Sequence, residues 1–125
     1  MKILVVDDEM DVRTLFEQRF RKEIRNGEFH FAFAHSGEEA LHYLSSQEQE
    51  AILILSDINM PGMSGLQLLE EIKQKYHKPP PMVMMITAYG DAENYNQAMQ
   101  LGADDFLTKP VDFSILKDKL KTTLS

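Results

Sequence analysis

Two periods of apolar residues take turns along this chain. Short runs, unbroken or strictly alternating, lie at Lys2–Val6, Phe29–Ala34, Ala51–Asp57, Met82–Thr87 and Asp105–Thr108. Runs of this length, rich in Ile, Leu, Val, Met and Phe and closed by polar, Gly or Pro residues, predict strands. Between them the apolar positions recur every three or four residues, which predicts helices. Val12, Leu15, Phe16, Phe20 and Ile24 mark one from Met10 to about Arg25, stopped by Asn26-Gly27. Ser36 starts the next, with Glu39 placed for a capping box and Ala40, Leu41 and Leu44 facing inward. Ser64 starts the third, with Leu66, Leu69, Ile72 and Tyr76 inward, and Pro79-Pro80-Pro81 closes its connection to the following strand. Asp91 starts the fourth, which uses Tyr95, Ala98 and Met99 and ends at Gly102. Asp112 caps the fifth, with Phe113, Leu116, Leu120 and Leu124 on its inner side.

Strand and helix therefore alternate five times over. Short loops in such an alternation specify a parallel sheet with helices on both faces. A closed barrel of these units needs roughly twice as many of them. The expected architecture is α/β and flavodoxin-like: an open, doubly wound, five-stranded parallel sheet in the order 2-1-3-4-5, forming one domain over residues 1–125. The run Ala51–Leu55 has no polar break, as befits a central strand buried on both faces.

Charge and composition then narrow the function. The net charge of −7 disfavours sequence-independent nucleic-acid binding, which depends on basic residues neutralising phosphates. The absence of cysteine removes disulfides, thiol catalysis and thiolate metal sites, and suits a reducing, cytoplasmic setting. The first apolar run is too short for a signal peptide or a membrane span, so no membrane association is expected.

In the predicted topology the carboxyl ends of the strands share one edge, where open α/β sheets bind their ligands. The first strand presents Asp7, Asp8 and Glu9 there, the third Asp57, the fourth Thr87 and the fifth Lys109. Several carboxylates in one crevice must protonate or bind a cation. Oxygen ligands without Cys or suitably spaced His favour Mg²⁺ or Mn²⁺ over zinc. Mg²⁺ completes its shell with water and phosphate oxygens, and a carboxylate can be the nucleophile in phosphoryl transfer. Asp57, alone on its strand, is the candidate nucleophile. Asp7 and Asp8 are paired as metal ligands would be. Lys109 and the Thr87 hydroxyl are placed to neutralise and hydrogen-bond phosphoryl oxygens, and Ala88 leaves access open.

The segments ValValAspAspGlu at 5–9, SerAspIleAsnMetProGlyMetSerGly at 56–65, IleThrAlaTyr at 86–89 and GlyAlaAspAspPheLeuThrLysPro at 102–110 carry a family resemblance. At these spacings the chain resembles the receiver domain of two-component response regulators over essentially its whole length, and in layout the single-domain regulators of chemotaxis type. The resemblance implies that Asp57 accepts a phosphoryl group from a sensor histidine kinase or phosphotransfer protein. It implies that Asp8, Asp57 and the Asn59 backbone carbonyl hold Mg²⁺, with Asp7 acting largely through a bound water. It makes Thr87 and Phe106 the switch pair, makes Asn59 and Tyr89 tune the lifetime of the phosphorylated state, and places a cis peptide between Lys109 and Pro110. It also implies a downstream effector protein or domain, reached through the fourth helix, fifth strand and fifth helix, a surface that in relatives also forms dimers.

Two other classes share parts of this pattern. A haloacid-dehalogenase-like phosphatase also uses an Asp nucleophile and Mg²⁺, but needs a general acid two residues on, where this chain has Asn59. A nucleotide or flavin binder cradles phosphate in a Gly- or Ser/Thr-rich loop after the first strand, where this chain has Asp-Asp-Glu. The expectation is a phosphorylated signalling module that catalyses only its own modification, not an enzyme acting on a separate substrate. Residues with ordinary structural readings are the Met82, Met84 and Met85 cluster, taken as core filler, and Lys117, Lys119 and Lys121, taken as a solvated helix face.

Overall fold

A computed structural model describes residues 2–46, 52–75, 81–88 and 92–124, with the backbone alone at Ile52, Ala88 and Leu124. Its strands are β1 (Lys2–Val6), β2 (His30–Ala34), β3 (Ile52–Asp57), β4 (Met82–Ala88) and β5 (Asp105–Lys109). Its helices are α1 (Val12–Arg19), α2 (Arg21–Arg25), α3 (Gly37–Ser45), α4 (Gly65–Lys75), α5 (Ala92–Gln100) and α6 (Phe113–Leu124). All strand pairs are parallel, in the order β2-β1-β3-β4-β5. The expected doubly wound sheet is therefore the observed one.

Residue parity sorts the core into two layers, because successive strand residues point to opposite faces. Ile3, Val5, Leu53, Leu55, Met84, Ile86 and Leu107 join α1 and α6 through Val12, Phe16, Phe20, Leu116 and Leu120. Leu4, Val6, Ile54, Val83 and Met85 join α3, α4 and α5 through Ala40, Leu44, Leu68, Leu69, Ile72 and Ala98. Strands buried on both faces must be apolar throughout, which is why β1, β3 and β4 read as unbroken runs.

The first helix departs from the expectation. It ends at Arg19, Phe20 leaves helical geometry at φ −112° and ψ 25°, and α2 resumes at Arg21. Leu15 and Ile24 are exposed, whereas Val12, Phe16 and Phe20 are buried together with Glu23. On a helical wheel Leu15 and Ile24 flank the stripe formed by these four on opposite sides, so the sheet covers the centre and leaves the flanks open. Tyr95 and Met99 on α5 and Met82 at the start of β4 are likewise exposed rather than core. Leu68 joins Leu69 and Ile72 as the fully buried row of α4, and Leu66 is partly buried against the same layer. Tyr76, Pro79, Pro80 and Asp91 lie outside the described residues, as does the side chain of Leu124.

The caps follow the sequence. Ser36 Oγ accepts from Glu39 N at 3.0 Å, and Asp112 Oδ1 accepts from Ser114 N at 2.9 Å. Ser64 and Gln67 form a reciprocal capping box, Gln67 N donating to Ser64 Oγ at 3.2 Å and Ser64 N to Gln67 Oε1 at 2.9 Å.

The last-helix lysines are not a purely solvated face. Lys117 pairs with the buried Glu23 at 3.2 Å, Lys119 with Asp105 at 2.8 Å and Lys121 with Glu28 at 3.9 Å. Lys117 also lies 5.7 Å from the centroid of the Phe20 ring. Burial pushes the Glu23 carboxyl up. Its own backbone amide, the Lys117 ammonium and the Lys121 charge outweigh that and hold it below the usual range. A carboxyl whose folded-state pKa is depressed adds stability above its unfolded value and loses it as pH falls through the folded value. Removing the ammonium would leave a buried charge uncompensated. Lys117→Met is expected to cost about 1–3 kcal/mol at neutral pH, with the deficit shrinking as pH falls below the ordinary carboxylate range. Urea melts at pH 7 and pH 3 measure this; an equal deficit at both would show that lost packing, not the charge pair, is responsible.

Candidate functional site

The sheet brings four strand ends to one edge. Asp57 is the last residue of β3 and is only 4% exposed. Its parity is that of Leu53 and Leu55, but no residue of β3 lies beyond it to continue the core. Asp7 follows β1, half-buried, and Asp8 is exposed beside it. One carboxylate oxygen from each of Asp7, Asp8 and Asp57 can be chosen so that all lie within 4.8 Å of one another. Lys109, at the end of β5, donates from Nζ to Asp57 Oδ2 at 2.8 Å. Asn59 N donates to the other oxygen, Asp57 Oδ1, at 3.4 Å. The peptide bond between Lys109 and Pro110 is cis.

Local backbone bonds hold these groups in place. Asp7 N donates to Ala34 O at 3.1 Å and Glu9 N to Asp7 Oδ1 at 2.9 Å, which fixes the turn after β1. His35 Nδ1 lies 3.1 Å from Asp7 O. Beyond β3, Ile58 N donates to Ile86 O at 2.9 Å and Gly65 N to Ile58 O at 2.8 Å, so the chain leaves the acidic edge and returns to start α4 directly behind it. Gly65 permits that return. A methyl group there would overlap the Asp57 carbonyl oxygen and stand 2.7 Å from Ile58 Cα. Only this tertiary contact shows that residue 65 must lack a side chain.

Thr87 is buried at the end of β4, and its Oγ1 has no hydrogen-bond partner among the described residues. An unpartnered buried hydroxyl is costly and calls for an explanation. Phe106 is half-buried and packs against the same core layer as Met85. By parity Thr87 shares that face. Ala88 lies in β4 beside Lys109 in the register, and Tyr89 is outside the described residues.

The electrostatics follow from the crowding. Burial raises the Asp7 carboxyl above its ordinary value. The Asp57 and Glu9 charges push the same way, while the hydrogen bond from Glu9 N and the Lys109 charge act against them. For Lys109, burial disfavours the ammonium, but the hydrogen bond and charge of Asp57, with Asp7 and Glu9 behind, more than compensate and raise its pKa. The Lys109 contribution to stability is thus fully present below the ordinary lysine value and is lost as pH rises through the folded one. Asp7 has the same sign: it favours folding at low pH and loses that contribution as pH rises through its raised value. An oxygen-only donor set with excess negative charge is what a hard divalent cation requires.

A family model described as the response regulator receiver domain matches residues 3–121. The chain belongs to the response regulator receiver domain family. Its relatives include the response regulator protein PilR of Pseudomonas aeruginosa, 39% identical over 98% of this chain and 26% of PilR. The response regulator RppA of Synechocystis is 33% identical over 97% of this chain and 49% of RppA. The chain thus spans about a quarter of one relative and half of the other. Among solved structures, a response regulator receiver protein from Pseudomonas putida superimposes with a TM-score of 0.83 at 28% identity, covering 97% of this chain and 95% of that one. A CheY-like receiver domain protein from Methanospirillum hungatei gives 0.80 at 31% identity, covering 98% and 92%. This receiver domain is accordingly a component of two-component signalling. Receiver domains generally bind Mg²⁺, and the Asp7, Asp8 and Asp57 cluster has the donors for it. No helix among the described residues is long and apolar enough to cross a membrane.

Two outcomes are expected. Gly65→Ala should destabilise the domain by about 1–3 kcal/mol, as overpacking does, and weaken Mg²⁺ binding; calorimetry and Mg²⁺ titration of the variant check both. Asp57→Asn should lower the Asp7 pKa by removing a like charge, read by carbon-13 NMR titration of the Asp side chains without metal. An unchanged Asp7 titration would show that burial and Glu9, not the Asp57 charge, raise it.

Proposed function

We propose that this domain is a phosphorylation-controlled switch whose acceptor is Asp57. The reading rests above all on one observation: a nearly fully buried carboxylate, bonded on one oxygen by Lys109 at 2.8 Å and faced by two further carboxylates. An Asp57 oxygen attacks the phosphorus of a phosphohistidine on a sensor histidine kinase or phosphotransfer protein. The new O–P bond forms as the P–N bond breaks, and the imidazole leaves with its electron pair and takes up a proton. Asp8, Asp57 and the Asn59 carbonyl would hold Mg²⁺ (or Mn²⁺), with Asp7 acting through water; the ion would supply charge neutralisation on the phosphoryl oxygens. Lys109 neutralises charge from the other side, and the Ala88 position admits the donor.

The modification adds about −1.5 to −2 charges at Asp57. Thr87, whose hydroxyl has no described partner, gains an acceptor in the phosphoryl oxygens and moves to it. Phe106, on the same sheet face, turns into the space vacated. The surface of α5, β5 and α6, which corresponds to the fourth helix, fifth strand and fifth helix of the sequence reading, then repacks for a downstream effector protein or attached domain. Asn59 and Tyr89 tune the lifetime by controlling water at the phosphoryl group. We place the protein in the cytoplasm, with no direct nucleic-acid or membrane contact by residues 1–125, which act as one domain. A dimer through the same surface would have to displace two pairings within the chain, Lys119 with Asp105 and Lys73 with Asp104 at 3.3 Å.

Incubation with Mg²⁺ and acetyl phosphate tests the reading. The parent should take up one phosphoryl group by intact-mass measurement, Asp57→Asn none, and EDTA should abolish uptake. Lys109→Met should slow uptake by about 10²-fold, the usual cost of removing a positioned charge-stabilising donor. Equal labelling of Asp57→Asn and parent would refute Asp57 as acceptor.

A further inference from the structure

Tyr95 and Phe106 form an edge-to-face ring pair, with centroids 4.9 Å apart and planes at 82°. The other ring pairs among the described residues all belong to a phenylalanine cluster on the opposite face of the sheet, around Phe16 and Phe20. The contact matters because α5 is weakly anchored. Its one buried side chain is the small Ala98, and Tyr95 and Met99 are 45% and 42% exposed. With so little of its own side-chain surface buried, α5 gains a fixing contact from the ring that packs on Phe106 of β5.

We propose that Tyr95 is a positioning residue that clasps Phe106 in the position it holds here and so sets the bias of the switch. This rests on the phosphoacceptor reading above, and adds to it a residue outside the strand-end constellation. Three observations converge on the assignment. Phe106 sits half-buried between the core layer and the Tyr95 ring. Thr87, on the same sheet face, keeps a buried hydroxyl that satisfies no partner among the described residues. Tyr95 is itself half open to solvent, so its ring is free to change surroundings without unpacking the core. When Phe106 turns towards the space left by Thr87, the edge-to-face contact breaks. The unmodified state therefore carries a specific attraction that the modified state must give up. By population-shift arithmetic, weakening that attraction raises the fraction already in the modified-like position and tightens the apparent affinity for any ligand of that state by the same factor. An aromatic pair of this geometry corresponds to about a 2- to 10-fold change in that equilibrium.

The test uses the whole chain with Mg²⁺ and beryllofluoride, a non-covalent mimic of the phosphoryl group. Tyr95→Leu keeps an apolar side chain but removes the ring; Tyr95→Phe keeps the ring and removes the hydroxyl. Beryllofluoride should bind Tyr95→Leu about 2- to 10-fold more tightly than the parent and should bind Tyr95→Phe like the parent. Without beryllofluoride, the Phe106 ring resonances of Tyr95→Leu should move towards their position in the loaded parent. If the parent saturates normally while Tyr95→Leu matches it in affinity and in Phe106 resonances, the clasp is refuted and the phosphoacceptor reading stands. A parent that takes no beryllofluoride overturns the phosphoacceptor reading, and the clasp with it.

Discussion

A carboxylate buried at the tip of a central strand must find a counter-charge, and the pairing of Asp57 with Lys109 meets that demand. Desolvating a charge is costly, and a pair in the interior repays the cost only when its geometry is good and its other lone pairs are engaged. Here Lys109 takes one oxygen at 2.8 Å and Asn59 N approaches the other. The pair also dictates topology. Asp57 ends β3 and Lys109 ends β5, with β4 between them, so they meet only if the strands are parallel and in this order. An antiparallel β5 would carry Lys109 to the far edge. The same pairing leaves Asp7 and Asp8 in excess: Lys109 compensates one negative charge, and three converge. Burial and repulsion together raise the Asp7 pKa, and the excess of carboxylate oxygens is of the kind a hard divalent cation takes.

Much of this was legible in the sequence because strand-end residues are specified by the chain's own punctuation. Unbroken runs identified the buried strands, and the polar residue that ended each run lay on the ligand-binding edge. Parity then needed no further information. The missed features depend on contacts between segments far apart in the chain. Glu23 is buried because Lys117, on another helix, reaches it, and no local pattern around either residue announces the pair. Leu15 and Ile24 fit the helical period but lie on its flanks, and periodicity alone cannot say how wide a face the sheet will cover. Gly65 carries no such signal in its local sequence either: its role is to let backbone approach backbone behind Asp57.

The two faces of the sheet are packed differently. On the α1–α2–α6 side, six phenylalanines interlock, with Arg13, Arg19 and Lys117 over their rings and the Glu23–Lys117 pair joining α2 to α6. Large rings in mutual contact cannot shift singly, so this layer resists rearrangement. On the other side α5 buries only the small Ala98, and the one ring pair there among the described residues, Tyr95 with Phe106, is partly exposed. A charge change at the shared strand edge meets both layers at once. The phenylalanine-rich layer packs beneath the strands that end in Asp57 and Lys109, and in the proposed switch the other layer is the one that responds.

That asymmetry bears on how a signal of one phosphoryl group could travel. Coupling requires an element with two arrangements of similar free energy, not merely a path of contacts. The polar groups near α5 are already committed within the chain: Asp104 to Val83 N and Lys73, Asp105 to Lys119 and Phe106 N. These bonds hold the chain just before and at the start of β5, next to Phe106, whose ring packs on Tyr95. In the proposed switch the movement falls to the Phe106 and Tyr95 rings, while β5, which also carries Lys109, keeps its register on β4. A displacement of β5 would carry Lys109 away from the Asp57 carboxylate that it neutralises.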